Sequence, residues 1–290
     1  MNEKIKLSDA FAIYFYDLEF NQKKSKQTLK SYRNTLKQFE QFVLDKGVVY
    51  IQDITETKHA IPYRRSLIGK SENTVSSYIR SVSSFFSFAI KEDWIIKNPF
   101  KLIKTKAAPP KQKTGLSREQ FEKVLYYARN ETLYTIYLIG GDAGLRITEI
   151  LNLKNHHIDF KGNCIIVEKE NKSDRRIVPM TTRLAQALKQ YIEKSRPKFQ
   201  NSNLVFIMPS GRPVNSNFVN EDLMRISSSE LGFHITSETL RYSFAMALYS
   251  RKVDLMMIQK LLGHRTINAT VAYLEIPEPN VKDAIVSLEC

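Results

Sequence analysis

Cysteine is nearly missing. Among 290 residues only Cys164 and Cys290 occur, too few for a disulfide framework or for a zinc site built on cysteine spacing, and a reducing compartment follows. No apolar run is long enough to span a bilayer, and the opening Met-Asn-Glu-Lys lacks the hydrophobic core of a secretory signal, so a cytoplasmic protein is expected. Acidic residues are outnumbered 30 to 44 by lysine and arginine, giving a formal charge of +14 and a pI near 9.6. That balance favours a polyanionic partner such as nucleic acid. It is uneven: up to Lys113 there are 21 basic and 11 acidic residues, against 23 and 19 in the remainder. The amino-terminal part is therefore the main electrostatic grip.

What is present can fill two cores, since 42% of residues are hydrophobic and 11% aromatic. Leu7 to Phe20 reads as a helix with Leu7, Phe11, Tyr14, Phe15 and Leu18 on its buried face. Ser25 opens a longer one whose stripe is Leu29, Tyr32, Leu36, Phe39 and Val43, closed by Gly47. Lys26, Lys30, Arg33 and Lys37 lie on its other faces, where they either contact a polyanion or form a solvated surface. Ile61 to Leu67 and Asn73 to Ile90 complete four helices, Arg80 standing off the buried stripe of the last. No convincing strand appears there. Between Lys97 and Lys113 lie six lysines, no acidic residue, and Pro99, Pro109 and Pro110. Such a segment is expected to stay out of any core and to act as an extended linker along a phosphate backbone, with Lys104 and Lys106 among its contacts.

Ser117 with Gln120 gives a capping box, so a second domain begins there. Leu133 to Ile139 is an apolar helix that Gly140-Gly141 is expected to end. Arg146 and Glu149 fall one turn apart on a short helix with Ile147, Ile150 and Leu151 inward. Cys164 to Glu168 and Arg175 to Met180 flank a polar turn and read as a hairpin, and Asn203 to Met208 as a further strand. Leu240, Phe244 and Leu248 then share a helical face, Asp254 caps a helix that ends at Gly263, and Thr266 caps a third carrying Val271 and Tyr273. One bundle can thus present Arg241, His264 and Tyr273 to a common point. A phenol has a pKa of about 10 and needs a base or a strong positive field to act as a nucleophile. Guanidinium groups supply that field and hold phosphate oxygens bidentately.

Thr239-Leu240-Arg241, Leu261-Leu262-Gly263-His264 and Tyr273, nine positions after the histidine, resemble the carboxy-terminal signature of the tyrosine recombinases, the family of lambda-type integrases and Xer proteins. Gly144-Leu145-Arg146-Ile147-Thr148-Glu149-Ile150 looks like that family's first-arginine motif. Thr28-Leu29-Lys30-Ser31-Tyr32-Arg33 and Ile96-Lys97-Asn98-Pro99 resemble its core-binding domain. The resemblance covers the chain from about residue 7. It implies a mainly α fold: an all-helical core-binding domain over residues 1–98, a basic linker over 99–114, and over 115–290 a mostly helical catalytic domain with a small antiparallel sheet. It also implies a site-specific DNA recombinase in which Tyr273 forms a 3′-phosphotyrosyl bond, Arg146 and Arg241 hold the phosphate, His264 orients it, and a hairpin lysine protonates the leaving 5′-oxygen. Lys169 is preferred on its spacing from Gly162, and Lys172 remains open. Lys30, Arg33, Lys37, Arg80, Lys104 and Lys106 become DNA contacts. No metal or other cofactor is required, the protein would be bacterial or encoded by a phage or other mobile element, and the partners are double-stranded recombination sites bound by a homotetramer on two duplexes, with accessory DNA-bending proteins and no membrane. The amphipathic tail carrying Val281, Ile285 and Leu288 would dock on a neighbouring subunit or fold back on its own domain.

The chain departs from the family at two positions. Glu238 stands where a histidine usually precedes the second arginine, and Tyr242 where another often follows it. A carboxylate can take the phenol proton, so Glu238 joins the candidate catalytic residues, while His234 reads as a loop residue. The departures leave open a catalytically idle DNA-binding accessory protein of the same fold, and the chemistry leaves open an enzyme resembling a type IB topoisomerase.

Overall fold

The computed structural model describes residues 4–105, 113–168, 175–199 and 202–276. The chain divides into two compact units, Met1–Lys111 and Gln112–Cys290. Unit 1 is built on α1 (Leu7–Tyr16), α2 (Lys26–Leu44), α3 (Ile61–Ser66) and α4 (Glu72–Lys91). Ser25 and Ser71 open α2 and α4 by accepting from the backbone N–H of Thr28 and Thr74, satisfying donors that a helix start leaves unpaired. The four helices pool an aromatic core in which Phe11 meets Phe85 edge-on at 4.6 Å and Phe39 meets Tyr63 of α3 at 4.9 Å. Phe15 and Tyr32 are only partly buried at its margin.

The basic stretch after α4 does not stay out of the core. Asn98 and Phe100 are buried, and Phe100 stacks on Phe86 at 5.5 Å. The Asn98 side chain closes a turn, its Oδ1 accepting from Phe100 N at 2.8 Å and its Nδ2 donating to Ser83 O at 2.9 Å. One aromatic and one satisfied amide outweigh the charge around them. Lys104 is exposed, and its carbonyl accepts from Arg64 Nε. Lys106 lies outside the described residues.

Unit 2 runs through α5 (Arg118–Tyr126), α6 (Glu131–Asp142), α7 (Ile147–Leu151), β1 (Ile158–Asp159), β2 (Cys164–Glu168), β3 (Arg175–Pro179), α8 (Thr182–Gln190), α9 (Ser216–Ile226), α10 (Ser237–Ser250), α11 (Leu255–Leu262) and α12 (Ile267–Leu274). The strands form one antiparallel sheet in the order β1-β2-β3, with Ile165 opposite Val178 and Val167 opposite Arg176. The architecture is mainly α with this small sheet. The Ser117–Gln120 capping box is formed in both directions.

Two elements differ from expectation. Helix α6 does not stop at Gly140-Gly141 but passes through both to Asp142. A Cβ at Gly140 would lie 3.1 Å from Leu240 Cβ, and one at Gly141 2.2 Å from the Phe121 ring, so these glycines are there to let α10 and Phe121 press on the helix. Asn203 to Met208 is not a strand among the described residues. It makes isolated pairings, Lys154 with Leu204 and Ile207 with Pro213, and buries Val205, Phe206 and Ile207 in succession. Burial on every side, rather than pairing in a sheet, explains its apolar run.

Candidate active site

The site is assembled around the carbonyl end of α11. Gly263 closes that helix in a left-handed conformation (φ +67°), and the turn delivers His264 toward α10. Arg241 projects from α10 into the same place and is buried. Its Nη1 donates to Gly144 O at 2.6 Å, and its Nη2 to Leu262 O at 2.8 Å and to His264 Nε2 at 3.2 Å. Burial and the neighbouring Arg146 lower its pKa from the usual arginine value.

A guanidinium has no acceptor, so His264 Nε2 must be the accepting nitrogen and Nδ1 carries the proton, which it donates to buried Thr270 Oγ1 at 3.0 Å. Burial, then Arg241, Arg146, Arg176 and Lys113, push the imidazole pKa down to about 4. The ring is neutral at physiological pH. Between about pH 6.5, the ordinary histidine value, and 4, the unfolded chain binds a proton here that the folded chain refuses, so acidification through that window removes stability. His264→Asn is therefore expected to lose less stability than the parent between pH 6.5 and 4 in denaturant titrations. Parallel curves would refute a neutral, buried ring.

Tyr273 lies on α12, with its ring 5.1 Å from His264 and 5.6 Å from Tyr242, both edge-on. Its hydroxyl is shielded from solvent and has no partner in hydrogen-bonding geometry among the described residues. Burial and then Glu238 raise the phenol pKa well above 10, while Arg241 pulls it down. Glu238 itself is exposed in the first turn of α10.

Arg146 is the N-cap residue of α7 rather than a residue within it, and Glu149 reaches back to cap its N–H at 2.7 Å. The Arg146 side chain is 39% exposed and contacts Glu149 Oε1 at 3.3 Å and Leu262 O at 3.5 Å. The closer partner of Glu149 is Arg176 on β3, at 2.8 and 2.7 Å from its two oxygens. Burial alone would raise the Glu149 carboxyl, but Arg176 and Arg146 hold it below the usual range.

The structure thus brings Arg146, Arg241, His264 and Tyr273 together, with Glu238 acting on the phenol. Lys169 and Lys172 lie outside the described residues. Sequence reasoning missed Arg176, although the alternation Arg176-Val178 along β3, continued by Met180 just beyond it, put a charge on the inward side, a sign of a buried partner. It also missed Lys113, which it had read as linker. Lys113 Nζ donates to Tyr273 O at 3.1 Å and sits 4.2 Å from the Tyr273 ring centre, while its backbone N–H donates to Glu275 Oε1. His234 is exposed in a loop, away from these contacts. In unit 1, Lys30, Lys37 and Arg80 are exposed, whereas Arg33 packs over the Phe15 ring at 4.6 Å and reaches Glu19 at 3.7 Å.

The ligand atoms of His156, His157 and Glu168 lie within 4.8 Å of one another. His157 Nδ1 accepts from Lys154 N at 3.2 Å, so the proton sits on Nε2, which lies 3.5 Å from Glu168 Oε2 without a hydrogen bond to it. Neither ring nitrogen of His157 then has a free lone pair, a poor arrangement for holding a cation.

The profile of the Phage integrase family matches residues 115–278, and that of the Phage integrase SAM-like domain matches residues 9–107. Tyrosine recombinase XerC of Halalkalibacterium halodurans is 25% identical over 94% of this chain and 94% of its own. A tyrosine recombinase of Thermosipho africanus is 28% identical over 91% and 94%. Among solved structures, the Tn1549 transposon integrase in complex with a circular intermediate DNA superposes with a TM-score of 0.80 at 20% identity, covering 98% of this chain and 99% of that one. A lambda integrase dimer bound to a COC′ core site gives 0.72 at 19%, covering 96% and 80%.

Proposed function

This chain belongs to the Phage integrase family and is a tyrosine-type site-specific DNA recombinase; we propose that Tyr273 is its nucleophile. The observation that carries this reading is the convergence of Arg241, His264 and Tyr273 beside Arg146 in unit 2. The phenolate oxygen attacks the scissile phosphorus, the P–O5′ bond breaks, and a 3′-phosphotyrosyl bond keeps the phosphodiester energy for rejoining. The phenol proton goes to Glu238. The leaving 5′-oxygen takes a proton from the lysine of the segment between β2 and β3, Lys169 in preference to Lys172.

Arg241 uses three hydrogen bonds to hold itself in place. A guanidinium has five N–H groups, so two remain for the non-bridging phosphate oxygens, and half-exposed Arg146 adds its own. These charges offset the anion that builds up in the transition state. Neutral His264 spends both ring nitrogens on Arg241 and Thr270, so it orients the phosphate by holding Arg241 in place. Because the Tyr273 hydroxyl is shielded, bound DNA must open the cover over it before attack. Residues 1–98 act as the core-binding domain and 99–114 as the basic linker, with Lys30, Arg33, Lys37 and Arg80 of the first and Lys104 and Lys106 of the second on the backbone of the duplex. Arg33 must leave Glu19 to contribute. Strand exchange pairs two sites, which implies four subunits on two duplexes, aided by DNA-bending proteins in the cytoplasm.

The test is covalent trapping on a nicked duplex made from DNA flanking the protein's own gene. A protein–DNA adduct that survives denaturant is the expected result. A shift without an adduct would instead indicate an idle DNA-binding protein, and supercoil relaxation without site preference an enzyme resembling a topoisomerase.

A further inference from the structure

Three arginines, not two, surround the carbonyl end of α11. Arg176 Nε donates to Leu261 O at 2.9 Å, while Leu262 O accepts from Arg241 at 2.8 Å and Arg146 at 3.5 Å. Gly263 leaves room for Arg176 here: a Cβ there would lie 2.9 Å from its Nη1. Its side chain is 11% exposed, against 39% for Arg146, so it is the less able of the two to meet a substrate. Glu149 is the one carboxylate among the described residues that touches all three, with its Oε2 3.9 Å from Arg241 Nη1.

We propose that Arg176 is a positioning residue for strand cleavage: by occupying both oxygens of Glu149 it keeps that carboxylate from neutralising Arg146 and Arg241, and so reserves their charge for the scissile phosphate. The inference rests on the reading of Arg146 and Arg241 as the phosphate-binding pair. The geometry ranks the competitors. Glu149 lies at 2.7 and 2.8 Å from Arg176 but 3.3 Å from the Arg146 guanidinium, so the carboxylate spends its hydrogen bonds on the arginine that substrate does not see. With Arg176 present, three positive charges face one negative charge and two remain. Without it, Glu149 turns its whole charge on the other pair and one remains. The transition state carries more charge on the phosphate oxygens than the ground state does, so the loss falls on cleavage and leaves DNA binding nearly unchanged.

The experiment compares the full chain with Arg176→Gln, Glu149→Gln and the double variant, measuring single-turnover adduct formation on the nicked duplex, DNA affinity and thermal melting. Gln at 149 still accepts from Arg146 N but carries no charge. Arg176→Gln is expected to cut the adduct rate by about tenfold or more at unchanged affinity, and the added Glu149→Gln to recover at least half of that loss on a logarithmic scale. A double variant as slow as Arg176→Gln, or Arg176→Gln at the parental rate, overturns the proposal. If Arg176→Gln does not fold, Arg176→Lys replaces it, since an ammonium cannot span both oxygens. It should be slower than the parent and be relieved by Glu149→Gln, and a parental rate would overturn the proposal equally. A parent chain that forms no adduct refutes the functional reading itself, whereas a competent parent with indifferent Arg176 variants refutes only this inference.

Discussion

Tyr273→Phe is expected to abolish the covalent DNA adduct entirely while leaving DNA affinity within about twofold of the parent. The substitution removes one oxygen, and that oxygen makes no hydrogen bond among the described residues, so its loss leaves no orphaned partner behind. The ring contacts that seat α12 survive: His264 and Tyr242 edge-on, Lys113 over the face. No cation is removed from the site. Burying a phenol without a partner costs about 1–3 kcal/mol, so the Phe variant should melt at or above the parental temperature. The checks are denaturant-resistant adducts on a nicked duplex, gel-shift titration and a thermal melt. Any adduct in the Phe variant would mean that another residue attacks, and a large loss of affinity would mean that Tyr273 serves binding.

Glu238→Gln carries the second largest expected effect, a cleavage rate roughly 10²-fold lower, in the usual range for removing a general base. Two consequences of the substitution oppose each other. Glu238 is, after burial, the main cause that raises the phenol pKa, so Gln makes Tyr273 easier to ionise. Gln also cannot accept the proton. If proton transfer accompanies attack, the second consequence wins and the rate falls. If Tyr273 ionises beforehand to solvent, the first wins and the rate rises. Single-turnover cleavage between about pH 5 and 9 separates them, and a Gln variant as fast as the parent ends the general-base role. Glu238→His should stay active, with a rate that climbs with pH through about 6.5 as the imidazole loses its proton.

Much of the site was legible in the chain because local chemistry dictates it. Asp254, Gly263 and Thr266 are capping residues whose preferences hold in any context, and they fix where α11 ends and α12 begins. His264 and Tyr273 follow from those boundaries. Ser25, Ser71 and Ser117 set three other helix starts in the same way, although only Ser25 and Ser117 were recognised as starts. What escaped is what depends on distant neighbours. Gly140 and Gly141 look like helix ends until Leu240 and Phe121 press on them. Asn203 to Met208 looks like a strand because a run buried on all sides and a sheet run have the same composition. Phe100 sits in a lysine-rich stretch and still finds Phe86 and Phe39. Arg176 carries no motif, and its meaning appears only when β3 is folded against Glu149.

The three arginines at the end of α11 also separate two properties by their response to ionic strength. Counterions crowd around exposed lysines and arginines and screen them over about 10 Å at 0.1 M salt. Lys30, Lys37, Arg80 and Lys104 belong to that class. Arg241 and Arg176 are out of reach of such ions, anchored to carbonyls and to one carboxylate. Added salt is therefore expected to loosen the hold on the duplex far more than it slows cutting by a molecule already bound, since of the three arginines only half-exposed Arg146 is open to such ions.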